Sequence, residues 1–202
     1  MAAQTAASPC DKHRPPAKMP GMPHVLKPHP DSPPCPAAAI DVDVARPDAG
    51  HLVLTYAVTG RIGDILLPAV TAATRRDLLW QHTCLEAFIG LPGGPYYEFN
   101  LSPSTQWQAA RFAGYRSGKE IAVEIAAAPI ETRLGPERYT LQATLALGHL
   151  RVPRDAAWRL GLSAVIEDTN ERISYWALAH APGKPDFHHA DAFALEFPAA
   201  AP

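Results

Sequence analysis

The chain has 202 residues, of which 47% are hydrophobic and 19% are charged, and its formal net charge is -2. A chain of this length can bury one sizeable core, and without a dense Lys/Arg stripe it is not expected to bind nucleic acid. The 22 Pro and 13 Gly residues indicate many turns and short segments, which favours an all-β fold.

The N-terminal segment differs in composition from the rest of the chain. Residues 1–23 are rich in Pro, Ala and Lys, so we expect a disordered tail, then one domain over residues 24–198 and a short tail at 199–202. No stretch resembles a signal peptide or reaches the length of a membrane span. The cysteines form an odd set without CxxC spacing, which predicts neither a disulfide framework nor a zinc knuckle. We therefore expect a soluble, cytoplasmic protein with no membrane partner.

Short apolar runs follow the tail, separated by turn sequences at intervals typical of sandwiches. The strand candidates are residues 39–44, 51–59, 83–90, 96–101, 120–126, 139–147, 158–167, 172–178 and 192–197. Strict alternation in 139–147 predicts a strand with one solvent-facing side. Only 67–79 could hold a helical turn or two, and Pro68 argues against a long helix there. These elements predict an antiparallel β-sandwich of two packed sheets, with loop 179–191 crossing one end.

A predicted hairpin within residues 80–107 carries the functional argument. Two alternating runs flank the turn sequence LPGGP, which is typical of a β-hairpin. With the turn centred on its first glycine, Glu86 lies opposite Asn100. The same register places Phe88 opposite Glu98.

Successive side chains of the hairpin point to opposite faces. One face is apolar and predicted to be core: Leu85, Ala87, Ile89, Tyr97, Phe99 and Leu101. The other face combines aromatic, carboxylate and amide groups: His82, Cys84, Glu86, Phe88, Tyr96, Glu98 and Asn100, with Trp80 beside them. Rings stack on the CH faces of sugars, while carboxylates and amides bond their hydroxyls. This face predicts a sugar site at Trp80, Glu86 and Asn100. The alternative is that Glu86 and Asn100 only hydrogen-bond to each other on a solvated sheet face.

Three motifs resemble the DOMON-like superfamily and, within it, the family 9 carbohydrate-binding modules. They are W-x5-E-x-F-I from Trp80, Y-Y-E-F-N-L-S-P from Tyr96 and F-H-H-x3-F from Phe187, and the likeness runs over residues 23–197. The resemblance implies a β-sandwich of immunoglobulin-like or jelly-roll architecture. It further implies sugar binding without catalysis, in a module of the kind that carbohydrate-active enzymes carry as an accessory.

The resemblance implies roles for individual residues. Trp80 matches the first stacking aromatic residue, Glu86 the carboxylate and Asn100 the amide that bonds sugar hydroxyls. Phe187 stands where the second aromatic residue, usually tryptophan, is found. Glu98 occupies the place of the family's sugar-binding arginine. The family modules also carry structural calcium, although no dense Asp/Glu loop here requires it.

Other residues extend this site. Tyr96 and His82 lie on the same predicted hairpin face, and Trp176 is placed opposite the apolar positions of strand 172–178, so all three are further ligand-binding candidates. Arg111 or Arg116 is a candidate replacement for the family's arginine.

Two other functions compete with sugar binding. His180, His188 and His189 cluster near the C-terminus, and imidazoles ligate haem and metals, so a haem site held by His82 and His188 is one alternative. A protein-interaction module is the second. The two carboxylates on the binding face resemble a glycosidase pair, but a sandwich face offers no deep cleft, so no catalysis is predicted.

Overall fold

The computed structural model describes residues 23–125, 128–148, 150 and 157–198. Nearly all of the predicted N-terminal tail and the whole segment 199–202 lie outside these residues. In the described part of the chain, none of the helical segments is long and apolar enough to cross a membrane.

The described residues form an all-β fold with strands that pair in antiparallel fashion. In chain order the strands are β1 (His24–Pro28), β2 (Ala37–Asp48), β3 (His51–Gly60), β4 (Cys84–Gly90), β5 (Tyr96–Leu101), β6 (Trp107–Phe112), β7 (Glu120–Ile121), β8 (Ile130–Leu134), β9 (Arg138–Ala146), β10 (Trp158–Glu167), β11 (Ile173–Ala177) and β12 (Leu195–Phe197). Short 3₁₀ segments occupy Ile62–Asp64, Leu79–Gln81 and Ala190–Ala192. The strand order is β7-β6-β5-β4-β10-β11-β1-β2-β3-β9-β8, and β12 pairs with β10.

The sheet is strongly curled, and strand β1 joins its two halves. It pairs with β11 on one side and with β2 on the other. Apolar residues from both halves, such as Ile40, Leu54 and Phe99, belong to one buried core. A buried bond links the halves, because the Tyr56 hydroxyl on β3 donates to the Glu86 backbone carbonyl on β4 at 2.6 Å.

Several strand predictions are confirmed. Strands β5 and β10 begin and end at the predicted residues. Strand β9 alternates between buried and more exposed residues along its length, as its period-two pattern predicted. Strands β1, β6 and β8 were not predicted, since they are short and lack strict alternation of apolar residues.

Three predicted segments need correction. The strand expected over 120–126 ends at Ile121, because the chain turns there and the Val123 amide donates to the Ile121 carbonyl at 2.9 Å. The strand expected over 192–197 begins only at Leu195, since Ala190–Ala192 forms a 3₁₀ turn. The segment 67–79 has no regular helix before the 3₁₀ turn that starts at Leu79.

Position 60, at the end of β3, requires a glycine, which leads to the first testable prediction. Its φ is +141°, and an added Cβ would collide with the Pro36 carbonyl and the Ala38 amide. We expect Gly60→Ala to lower the free energy of unfolding by about 1–3 kcal/mol, measured by urea unfolding. The control is Gly63→Ala, since a Cβ at Gly63 has nothing within 4 Å. Equal stability of the two variants would contradict the prediction.

Candidate functional site

The β4–β5 hairpin has the predicted register. Glu86 pairs with Asn100, and Phe88 pairs with Glu98. The turn is closed by the Leu91 amide, which donates to the Pro95 carbonyl at 2.9 Å. The predicted apolar face packs into the core, and its residues are Leu85, Ala87, Ile89, Tyr97, Phe99 and Leu101.

The second face of the hairpin is also buried. Its strand residues Cys84, Glu86, Phe88, Tyr96, Glu98 and Asn100 are each at most 6% exposed. Aromatic rings from the segment after β11 cover part of this face: Phe193 lies 5.7 Å from Phe88, and His188 lies 5.1 Å from Phe112 between ring centroids. The face on which the sequence predicted a sugar site is therefore not open to solvent.

Polar residues form a row across this buried face. Cross-strand pairing aligns Gln108, Asn100, Glu86 and Ser163 on four neighbouring strands. Asn100 Nδ2 donates to Glu98 Oε1 at 2.7 Å, and Ser163 Oγ donates to Glu86 Oε2 at 3.4 Å. These bonds therefore pair Asn100 with Glu98, two residues away on the same strand, and Glu86 with Ser163.

The buried carboxyl groups have perturbed acidity. Burial raises the pKa of Glu86 well above its ordinary value, and the nearby Glu98 carboxylate raises it further. Burial also raises the pKa of Glu98, although the hydrogen bond from Asn100 opposes this shift. Desolvation disfavours the charged form of a carboxyl group, so the row favours a neutral Glu86.

Three other predicted ligand residues, one of them buried, have different surroundings. Trp80 lies in the 3₁₀ segment before β4 and is 47% exposed. The exposed His82 places Nδ1 2.8 Å from Glu167 Oε2. Phe187 is buried, and its ring centroid lies 6.1 Å from that of Tyr175.

Trp176 lies on the opposite side of the sheet from the predicted binding face. It pairs with Ala164 of β10, and residues directly opposite in an antiparallel pair share a face. Because Ala164 belongs to the main core, Trp176 does too. Its indole nitrogen donates to Ser174 Oγ at 3.1 Å. The interpretation of Trp176 as a ligand-binding residue is corrected accordingly.

The two predicted haem ligands are not brought together. His188 packs against Phe88, with 5.2 Å between ring centroids, whereas His82 precedes Phe88 by about 20 Å of extended chain. His188 Nδ1 lies 2.8 Å from the Tyr96 hydroxyl, and burial lowers the pKa of His188 to about 4. Among the described residues, no group of three or more His, Cys, Asp or Glu is placed to hold a metal ion. These residues do not fit a haem held by His82 and His188.

An open pocket of about 720 Å³ lies at the turn end of the hairpin. Its floor and walls come from the turn itself, from the loop after β6 and from the segment after β11. The aromatic and ionisable side chains that line it are Tyr96, Tyr115, Arg159, His188, His189 and Phe193. Two of the motifs singled out in the sequence thus contribute to it, the one that begins at Tyr96 and the one that ends at Phe193.

A hydrogen-bond network holds one wall of this pocket. The Tyr115 hydroxyl donates to Asp186 Oδ2 at 2.5 Å, and Arg116 Nη2 donates to Asp186 Oδ1 at 2.8 Å. The Arg116 amide donates to the Tyr96 hydroxyl at 3.2 Å. Burial alone would raise the pKa of Asp186, but the bonds from Tyr115 and Arg116 outweigh it and lower the pKa.

The sequence patterns did not indicate Tyr115 or Arg159. Tyr115 lies in a loop, where no periodicity marks it, and Arg159 lies within an otherwise buried strand. Of the two arginines considered as replacement cations, Arg116 instead binds Asp186. Arg111 pairs with Tyr97, whose side chain belongs to the main core.

Comparisons with known proteins found structures with a similar fold. No family model matches the sequence, and no curated protein matches it. Among solved structures, the chain is similar to a candidate carbohydrate-binding protein from Bacteroides uniformis, with a TM-score of 0.59 and 14% identity over 84% of this chain and 82% of that chain. At this identity the similarity concerns the fold alone.

Two structures of a family 9 carbohydrate-binding module from Caldicellulosiruptor kristjanssonii were also found. The complex with cellotriose has a TM-score of 0.49 and 13% identity over 88% of this chain and 78% of that chain. The complex with glucose has a TM-score of 0.45 and 13% identity over 79% of this chain and 72% of that chain.

The buried Glu86 predicts a pH-dependent stability. The unfolded chain loses this proton near the ordinary glutamate pKa of about 4.3, whereas the folded chain keeps it to higher pH. The folded state then binds more protons, so the free energy of unfolding falls as the pH rises above that value. Glu86→Gln should remove this decline, so its stability relative to the wild type is expected to grow by about 1.4 kcal/mol per pH unit above that value until Glu86 ionises in the fold.

Urea unfolding between about pH 4 and pH 8 measures this effect. The control is Glu137→Gln, because Glu137 is exposed and the same chemical change there should not stabilise the fold at neutral pH. A Glu86→Gln variant that is less stable than the wild type at neutral pH would show that Glu86 is ionised in the fold.

Proposed function

We propose that this chain is a non-catalytic carbohydrate-binding domain of the DOMON-like type, whose curled sheet forms a two-layer sandwich and whose sugar occupies the pocket at the turn end of the β4–β5 hairpin. The observation that carries the proposal is the pocket itself, which is walled by aromatic rings. Its volume of about 720 Å³ lies within the range of small-molecule sites.

The chemistry of the walls suits a saccharide. Tyr115 is 59% exposed, and its hydroxyl is fixed by Asp186, so a rigid ring is presented to the ligand. Aromatic rings offer flat surfaces for the CH faces of a sugar. The imidazoles of His188 and His189 and the guanidinium of Arg159 supply hydrogen-bonding groups for hydroxyls.

Fold similarity supports the same class of ligand. The Bacteroides uniformis protein with the similar fold is a candidate carbohydrate-binding protein, and the core shared by the two halves of the sheet suits a sandwich. Fold does not by itself establish function. The pocket at the hairpin turn supplies the site-level argument.

The hairpin face remains the competing position for the sugar. Trp80 presents an exposed indole there, but Glu86 and Asn100 are buried and at least partly bonded to protein groups. A sugar at these residues would require the covering segment to move. The same burial argues against catalysis, because Glu86 and Glu98 are closed off from a glycosidic bond and from the water that would attack it.

The proposal predicts a split between two aromatic variants. A glycan array identifies the mono- or disaccharide with the strongest signal, and titration calorimetry with that sugar compares the variants. Tyr115→Ala is expected to weaken binding about tenfold, since losing a stacked ring costs about 1.4 kcal/mol. Tyr115→Phe keeps the ring and should retain most of the affinity, and Trp80→Ala should leave it unchanged.

Other outcomes are equally informative. Loss of binding in Trp80→Ala, with Tyr115→Ala unaffected, would move the sugar to the hairpin face. An array without any hit would reject carbohydrate binding. Because both rings are exposed, neither variant is expected to disturb the fold.

A further inference from the structure

The charged groups at the pocket are unevenly distributed. Of the described residues that line it, Arg159 is the only one with a permanent charge, and the imidazoles of His188 and His189 are the other ionisable bases. No described lining residue is an aspartate or a glutamate. A pocket that presents a guanidinium without a carboxylate of its own favours an anionic ligand.

Strand register places Arg159 across a gap from an aromatic wall. Arg159 pairs with Gly90, and Gly90 pairs with Tyr96. Residues aligned in this way share one face of the sheet, with about 10 Å between the outer two strands. Gly90 has no side chain to fill the gap, and the Phe193 ring lies over it, since an added Cβ would meet Phe193 Cδ1 at 3.1 Å.

The Arg159 guanidinium is not bonded to another residue of the described part of the chain. It is exposed, and no hydrogen bond or ion pair to another described residue occupies it. Glu196 on β12 lies directly opposite in register without forming an ion pair within 4.0 Å. Of the carboxylates nearby, Asp186 is engaged by Arg116 and Asp191 lies 3.5 Å from His189 Nδ1.

We infer that the saccharide bound in this pocket carries a carboxylate, as a hexuronic acid does, with the carboxylate on Arg159 and the sugar ring toward the Tyr96 and Tyr115 side. The inference rests on the proposed function and deepens it. A guanidinium and a carboxylate form two parallel charge-assisted hydrogen bonds. A neutral hexose offers only a hydroxyl at the same position and cannot form this charge-assisted pair.

An array of matched sugar pairs tests the inference. It contains glucose with glucuronic acid and galactose with galacturonic acid, each as the methyl glycoside. The wild-type chain is expected to bind the acid of at least one pair about tenfold more tightly than its neutral partner. This preference should shrink as the NaCl concentration rises, because salt screens exposed charges.

Two variants assign the preference to Arg159. Arg159→Gln should remove the acid preference, because it should lower the affinity for the acid about tenfold more than the affinity for its neutral partner. Glu196→Gln is the matched control, since it removes the opposing charge on the neighbouring strand, and it should preserve or increase the preference.

The results separate the two proposals. Binding of neutral sugars without an acid preference, or an acid preference that survives Arg159→Gln, would overturn this inference and leave carbohydrate binding intact. An array with no neutral or acidic hit would overturn both.

Discussion

Both faces of the β4–β5 hairpin are buried, and this constraint determines where a ligand can bind. One face packs into the core shared by the two halves of the sheet, and the other lies beneath aromatic residues from the segment after β11. Among the described residues, free space opens beyond the turn of this hairpin. The pocket lies there, bordered by the turn residues Gly90 to Pro95.

The aromatic residues packed over the hairpin explain how carboxyl groups come to be buried in this sheet. Burying an ionised carboxylate costs several kcal/mol unless charged or hydrogen-bonding partners compensate. Glu98 has such a partner in Asn100, whereas Glu86 has the long bond from Ser163 and a raised pKa. The polar row is therefore a buried network within the sheet, and its members bond to protein groups rather than to solvent.

Local sequence patterns predicted the hairpin well, because a tight turn and period-two alternation together determine which residues pair. They could not predict whether its polar face is open, since the cover comes from residues about 100 positions later in the chain. Trp176 was assigned to the wrong face for a related reason: its side of the sheet follows from pairing with Ala164, which alternation within one strand does not reveal. Tyr115 lies in a loop, where only the three-dimensional structure shows its place in a wall.

The same cover that closes the polar row also builds the pocket. In the F-H-H-x3-F motif, Phe187 packs onto Tyr175, while His188 and Phe193 both contact Phe88 and line the pocket. Asp186, next to this motif, ties Tyr115 and Arg116 to the same segment. A wall fixed in this way loses little conformational entropy when a ligand arrives, which favours affinity.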